Sequence, residues 1–260
     1  MLCLLCHSAC QIKVEGCMHP KAKNFNPEAD EDVGCDYYEM ILELQHFADS
    51  LPNDTLLLGD TLFDADNNAF YLNSMSILCS GVHLSDINSN TEYKGAEQIV
   101  LFGANNEAIS IEDNFFIGAP GTYSHNISAW TELGEFDSLH FHLGIPSSII
   151  NTDPSRVTEN NHPLSTSAIK YMYDSTTTSY LACNIVVFEV NSGNEYTFEF
   201  FDYIRVNLPY NITVEDGEDV PIRIRVDYQI LFEGISFNND SHSVIQSKIV
   251  QNFPLAFSSF

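Results

Sequence analysis

Two histidines one residue apart are the sharpest chemical signal in the chain: His140 and His142, in Leu139-His140-Phe141-His142-Leu143. On an extended strand, residues i and i+2 share a face. Leu139, Phe141 and Leu143 then turn toward a core and both imidazoles turn away from it. Two neutral imidazoles side by side can chelate one ion, and imidazole suits Cu(II), Zn²⁺ and Ni²⁺. A third donor must come from elsewhere. His162 lies in the long segment after this strand and can fold back. His83, in Gly81-Val82-His83-Leu84, and His125 are the other candidates. The competing reading is two solvent-facing histidines on an outer sheet face.

A second group of donors stands near the N-terminus. Asn24, Asn26, Asp30, Asp32 and Asp36 place five hard oxygen donors within 13 positions, a density that suits calcium. The spacing is not that of an EF-hand loop, and the alternative is a loop of Asx turns around one disulfide. Enzyme signatures are missing: there is no Gly-x-Ser-x-Gly elbow, no Gly-rich phosphate loop and no His-Glu-x-x-His helix. Glu132, Glu135 and Asp137 lie close together, but among 36 acids some must cluster by chance. The expectation is a protein without turnover. Copper-dependent oxidation is conceivable, though nothing indicates a substrate pocket.

The seven cysteines fix the compartment. The start, Met1-Leu2-Cys3-Leu4-Leu5-Cys6-His7-Ser8-Ala9-Cys10, is apolar and ends in small residues, like the end of a secretory signal. Ser8-Ala9-Cys10 resembles the close of a bacterial lipoprotein box, with Cys10 the lipidated residue and residues 1–10 the signal remnant. His7 departs from that pattern. Cys3 and Cys6 would leave with the signal, so Cys17, Cys35, Cys79 and Cys183 remain, an even number that suggests disulfides in an exported chain. Cys17–Cys35 closes a local loop. Cys79–Cys183 would close a long one, or the two are free thiols in a core. The expected place is the cell envelope, with the membrane reached only through the lipid.

Composition agrees with a folded, acidic exported protein. The chain has 260 residues, a net charge of −26 and a hydrophobic share of 44%, with 18 Phe and 12 Tyr. Nucleic acid is excluded as a partner, because a phosphate backbone needs a basic face.

The elements that position these residues are mostly strands. Period-2 alternation runs through 40–47, 69–78, 98–102, 121–130, 138–144, 180–190, 195–201 and 220–233, with Asn- and Gly-rich turns between them. Many short strands so punctuated indicate an all-β fold, an antiparallel β-sandwich. Residues 243–250 predict a short C-terminal helix ended by Pro254. Residues 146–168 carry no period and form a long loop. The chain therefore divides into the signal remnant 1–10, a small acidic Cys-bracketed module at 16–38 that needs its disulfide staple, and a β-sandwich domain at 39–260.

Residues Gly16 through Tyr38 resemble a short module of exported Bacteroidetes proteins, of the form G-C-x-x-P-x-A-x-N-[FY]-N-P-x-A-x-x-D-x-G-x-C-x-Y. Four later segments resemble, in order, the family of MbnP-like copper-binding proteins. They are Phe70–Ile77, Leu133–Pro146, His162-Pro163-Leu164 with Ala168–Tyr173 and Ser179-Tyr180, and Arg225–Gly234 with a closing Asn252-Phe253 and Ala256-Phe257. The resemblance implies an exported β-sandwich. It further implies copper held by histidine, with an oxidised tryptophan as another ligand. This chain departs from the pattern where Tyr171 and Tyr173 replace a tryptophan pair, leaving Trp130 as the single source of such a ligand. The expected function is metal binding, copper by preference, with His140, His142 and His162 as ligands and a periplasmic redox or metal-delivery protein as the partner class. The alternative is a cell-surface structural or adhesive sandwich with no metal in it.

Overall fold

The computed structural model describes residues 13–51, 54–86, 91–95, 97–103, 105–159, 161–169 and 171–260. The signal remnant and the expected lipidation at Cys10 lie outside them. The chain divides into two compact units, Met1–Tyr38 and Glu39–Phe260.

In the first unit, β1 (Glu15–Gly16) and β2 (Glu31–Asp32) form a short parallel pair, and Cys17 is joined to Cys35 by a disulfide. Three of the oxygens considered for calcium accept from the backbone. The Asn24 Oδ1 accepts from Asp36 N–H at 2.8 Å, Asn26 Oδ1 from Glu28 N–H at 3.0 Å, and Asp32 Oδ1 from Met18 N–H at 3.0 Å. Short polar side chains satisfy loop amides in this way. Asp32 lies beside Cys17 and Cys35, but those sulfurs are bonded to each other and supply no thiolate.

The second unit is an all-β sandwich with a short helix near its C-terminus. Its strands are β3 (Tyr38–Phe47), β4 (Thr61–Phe63), β5 (Ala69–Asp86), β6 (Glu92–Lys94), β7 (Gln98–Phe102), β8 (Ala108–Glu112), β9 (Phe116–Gly118), β10 (Ser124–Trp130) and β11 (Gly134–Leu143). They continue with β12 (Tyr173–Asp174), β13 (Ser179–Tyr180), β14 (Cys183–Glu189), β15 (Glu195–Phe200), β16 (Ile204–Val214) and β17 (Val220–Asp227). A single turn α1 (Tyr228–Leu231), the helix α2 (His242–Ala256) and β18 (Phe257–Ser259) close the chain. One sheet runs β10-β3-β17-β18; the other runs β15-β14-β5-β11-β16, with β4, β6 and β9 attached to β5. Most pairings are antiparallel, whereas β17 lies parallel to β3. The core lies between the sheets. Met40, Leu42 and Leu44 of β3 join Ile77, Phe141 and Ile185 of the other sheet, and α2 adds Ile245, Ile249 and Phe253.

Several elements differ from the sequence expectation. The strand expected over 220–233 stops at Asp227, whose carboxylate accepts from the N–H of Gln229 and Ile230 and so caps a helical turn. Pro254 does not end α2 but sits inside its last turn, followed by Leu255 and Ala256. The 11-residue β16 has no counterpart in the reading above. Pro209 in its middle argues against a central strand, but β16 is an edge strand, where a missing N–H faces no partner.

The long loop is not loose. Leu78 lies between core residues Ile77 and Cys79, so its side chain leaves the opposite face of β5. There it joins Ile99, Leu101, Phe115, Ile149, Leu164 and Met172 in a second apolar cluster. The β7–β8 hairpin and the described residues of 146–181 thus cover part of the outer face of the larger sheet. No helix among the described residues is long and apolar enough to cross a membrane.

Candidate metal centre

Strand β11 alternates as its sequence demands. Leu139, Phe141 and Leu143 are buried at 0–1% exposure, and His140 and His142 leave the other face half-buried. The neighbouring strand β5 brings a third imidazole. His140 is the cross-strand partner of His83, yet His142 is the partner of Ser80, so β5 carries one extra residue between them. Gly81, with φ +64°, makes this bulge. The insertion changes the parity of β5. Ile77 and Cys79 face the core before it, and Val82 and Leu84 face the core after it. His83 is therefore turned outward, onto the face of His140 and His142.

The three rings differ in how they are held. The His140 Nδ1–H donates to Asn207 Oδ1 at 2.7 Å, and its Nε2 accepts from the Ser85 hydroxyl at 2.8 Å. His83 lies between carboxylates, with Nε2 3.3 Å from Glu112 Oε2 and Nδ1 3.6 Å from Glu92 Oε2. Arg205 and Lys94 balance these acids, Arg205 at 2.5 Å from Glu92 and Lys94 against Glu112. The Arg205 hydrogen bond keeps the Glu92 carboxyl below its ordinary pKa. His142 stacks on Tyr203, with ring centres 4.2 Å apart and planes 5° from parallel. Its Nδ1 is buried and has no hydrogen-bond partner. Burial first, then Arg205 and His83, lowers the His142 pKa, so the ring stays neutral with a lone pair available.

His142 and His83 line one hollow of about 170 Å³, together with Glu112, Asn114 and Tyr203. A Cβ on Gly81 would stand 3.1 Å from His142 Nδ1, so the missing side chain is what makes room for the imidazole there. These donors fit a metal ion in kind: neutral imidazole nitrogens with carboxylate oxygens beside them. As the side chains stand, however, no three of them bring their ligand atoms within 4.8 Å of one another. A bound ion requires His83 to turn from Glu112. Glu112 and Asn114 escaped the sequence reading, although Glu112-Asp113-Asn114 directly after an alternating strand was a visible signal.

His162 does not join this face. It is buried, its Nε2–H donates to Asp113 Oδ1 at 2.9 Å, and its Nδ1 accepts from Leu164 N–H at 3.0 Å. Asp113, Glu159 and His162 do bring their ligand atoms within 4.8 Å. Yet the Leu164 amide holds the proton on Nε2, the nitrogen that points at the acids, and a metal there would have to displace it. The group reads as a latch that fastens the loop to the turn between β8 and β9. His125 faces inward on β10 with a buried Nε2. Trp130 is a core residue, 1% exposed, its indole N–H bonded to Glu132 O at 2.5 Å.

The Cys79–Cys183 disulfide is corrected: both are free, buried thiols. Cys183 pairs with Ile77, which leaves Cys79 one diagonal step away. Diagonal positions lie roughly 7–8 Å apart, beyond the roughly 4.4–6.8 Å that a disulfide spans. Burial raises both thiol pKa values and keeps them protonated.

No protein-family model matches the chain. No curated protein matches it either. Among solved structures it is similar to MbnP from Methylosinus trichosporium, at 12% identity and a TM-score of 0.41, over 75% of this chain and 77% of that one. That is a distant likeness of fold, and the reading of the site rests on the side chains described above.

Proposed function

We propose that this chain is an exported, non-catalytic metal-binding β-sandwich whose ion is held on the outer face of the larger sheet by His142 and His83, with His140 as third donor. The observation that carries the reading is the His142 Nδ1, a buried imidazole nitrogen with no partner, on a ring that lines a hollow shared with His83. His140 suits the third place because Asn207 holds its Nδ1 proton and leaves Nε2 as the lone-pair nitrogen. Only the Ser85 hydroxyl has to turn aside. Copper(II) is the preferred ion, since nitrogen and carboxylate donors bind it most strongly among the first-row divalent metals. A net charge of −26 concentrates cations at the surface. The lipid anchor at Cys10 and a metal-delivery or redox partner in the envelope belong to the same proposal.

The test is copper(II) titration of the metal-stripped protein, followed by electron paramagnetic resonance and elemental analysis. About one equivalent should bind with nitrogen hyperfine structure. The double variant His83→Ala/His142→Ala should lose it, His140→Ala should weaken it, and His162→Ala should leave it unchanged. Undiminished uptake in the double variant refutes the site. No uptake by the unmutated protein returns the chain to the adhesive reading.

A further inference from the structure

The larger sheet carries a second outward face, at the end of β5 remote from Gly81. Two rows of paired residues build it. Phe63, Ala69 and Val190 form one row across β4, β5 and β14. Thr61, Tyr71 and Phe188 form the next, with Glu195 of β15 beyond them. Alternation sets their direction: Leu62, Phe70 and Glu189 are buried, so both rows turn outward. Phe63 is 57% exposed and Val190 46%, while Tyr71 and Phe188 are half-buried.

Single exposed apolar side chains are ordinary, whereas these are contiguous. Tyr71 and Phe188 make a platform, with ring centres 5.1 Å apart and planes 30° from parallel. Ala69 is the small residue between Phe63 and Val190, so the first row dips at its middle. Fixed polar groups stand at both ends of the platform. Asn73 reaches over β14 to Glu195, its Nδ2–H donating to Oε2 at 2.7 Å. At the other end Asn191 Nδ2–H donates to Asn68 Oδ1 at 3.2 Å. Each bond holds a planar group whose remaining lone pairs and N–H stay free for a ligand.

We propose that this face binds a neutral glycan, with pyranose rings lying on Phe63, Tyr71 and Phe188 and hydroxyls meeting Asn73 and Glu195. A pyranose has apolar C–H faces and a hydroxylated edge. Aromatic rings with oriented amides beside them match both. Charge selects this occupant over others. Neither row holds a lysine or arginine, Glu195 at the rim is acidic, and the net charge is −26. An anionic glycan, an anionic lipid headgroup and a second copy of this chain are all repelled. The inference is independent of the metal reading.

The full chain is titrated by calorimetry with cellohexaose, xylohexaose and mannohexaose, and with hexagalacturonate as the anionic counterpart. At least one neutral hexaose should bind, and hexagalacturonate should not. Phe63→Ala should weaken binding about tenfold, the loss expected for a truncated aromatic anchor, with the thermal midpoint little changed. Tyr71→Ala should weaken it similarly, and Tyr71→Phe should retain it. Failure of all three neutral hexaoses to bind refutes the site. So does equal binding of hexagalacturonate, or binding that Phe63→Ala and Tyr71→Ala both leave intact. Sedimentation of the sugar-free chain as a dimer that Phe63→Ala disperses would give the face to a second copy and overturn the proposal. Copper(II) uptake by the outer histidines can succeed or fail without altering these results.

Discussion

The buried His46 makes stability depend on acid in a way that can be isolated. Burial, with the nearby His125 adding to it, lowers its pKa from 6.5 to about 4. In the unfolded chain the ring protonates near 6.5; in the folded chain it resists until about 4. Between those values the unfolded state binds more protons, so stability falls as pH falls. The contribution is complete above the unfolded value and is lost on the way down through the folded one. At ~1.4 kcal/mol per pH unit, the gap corresponds to about 3 kcal/mol. For a domain of this size that is a drop of roughly 6–12 °C in Tm. The perturbation is His46→Leu, which keeps an apolar side chain in the core and removes the titration. Urea unfolding of metal-stripped protein at intervals from pH 7.5 to 4 measures both curves. The variant should start lower, because the Tyr228 hydroxyl, 2.7 Å from His46 Nδ1, loses its partner, and should fall less steeply below pH 6.5. The histidines that do not sense His46 contribute equally to both and cancel in the difference. Parallel curves would refute the reasoning, since they would mean that His46 titrates alike in both states.

Two further predictions concern the cysteines and the bulge. With the protein folded, alkylation should leave Cys79 and Cys183 unmodified. After unfolding without reductant, peptide mass spectrometry should find these two labelled while Cys17 and Cys35 stay joined; a label on Cys17 would contradict the disulfide. Gly81→Ala should destabilise the fold by about 1 kcal/mol, because a side chain strains a backbone at φ +64°. It should also weaken copper(II) uptake, because the new methyl meets His142 Nδ1. A variant with unaltered urea midpoint and unaltered uptake would show that the bulge does not shape the hollow.

The sandwich was legible because its strands alternate, and alternation survives any detail of packing. It placed His140 and His142 on one face of β11 correctly. The same arithmetic puts His46 in line with Met40, Leu42 and Leu44, although a histidine in a hydrophilic position draws more notice than one in a core position. What the pattern did not carry was the bulge. Ser80-Gly81 looks like the end of a strand, whereas β5 runs on to Asp86 and changes parity there. The outward face of His83 depends on that single residue. The destination of His162 was also out of reach, because it is decided by a carboxylate 49 positions earlier, across an apolar cluster that residues of the loop build for themselves.

The parallel ladder between β3 and β17 has a consequence for how the chain is made. Arg223 meets Glu43 across 180 positions of sequence. The first strand of the sandwich is thus synthesised long before its central neighbour exists. Closing so large a loop carries an entropic cost and places this protein among the high-contact-order topologies, which fold slowly. Through that interval an apolar strand with its backbone unpaired stays available to other chains. A nascent chain of this kind benefits from being kept apart from its copies until its last fifth has arrived.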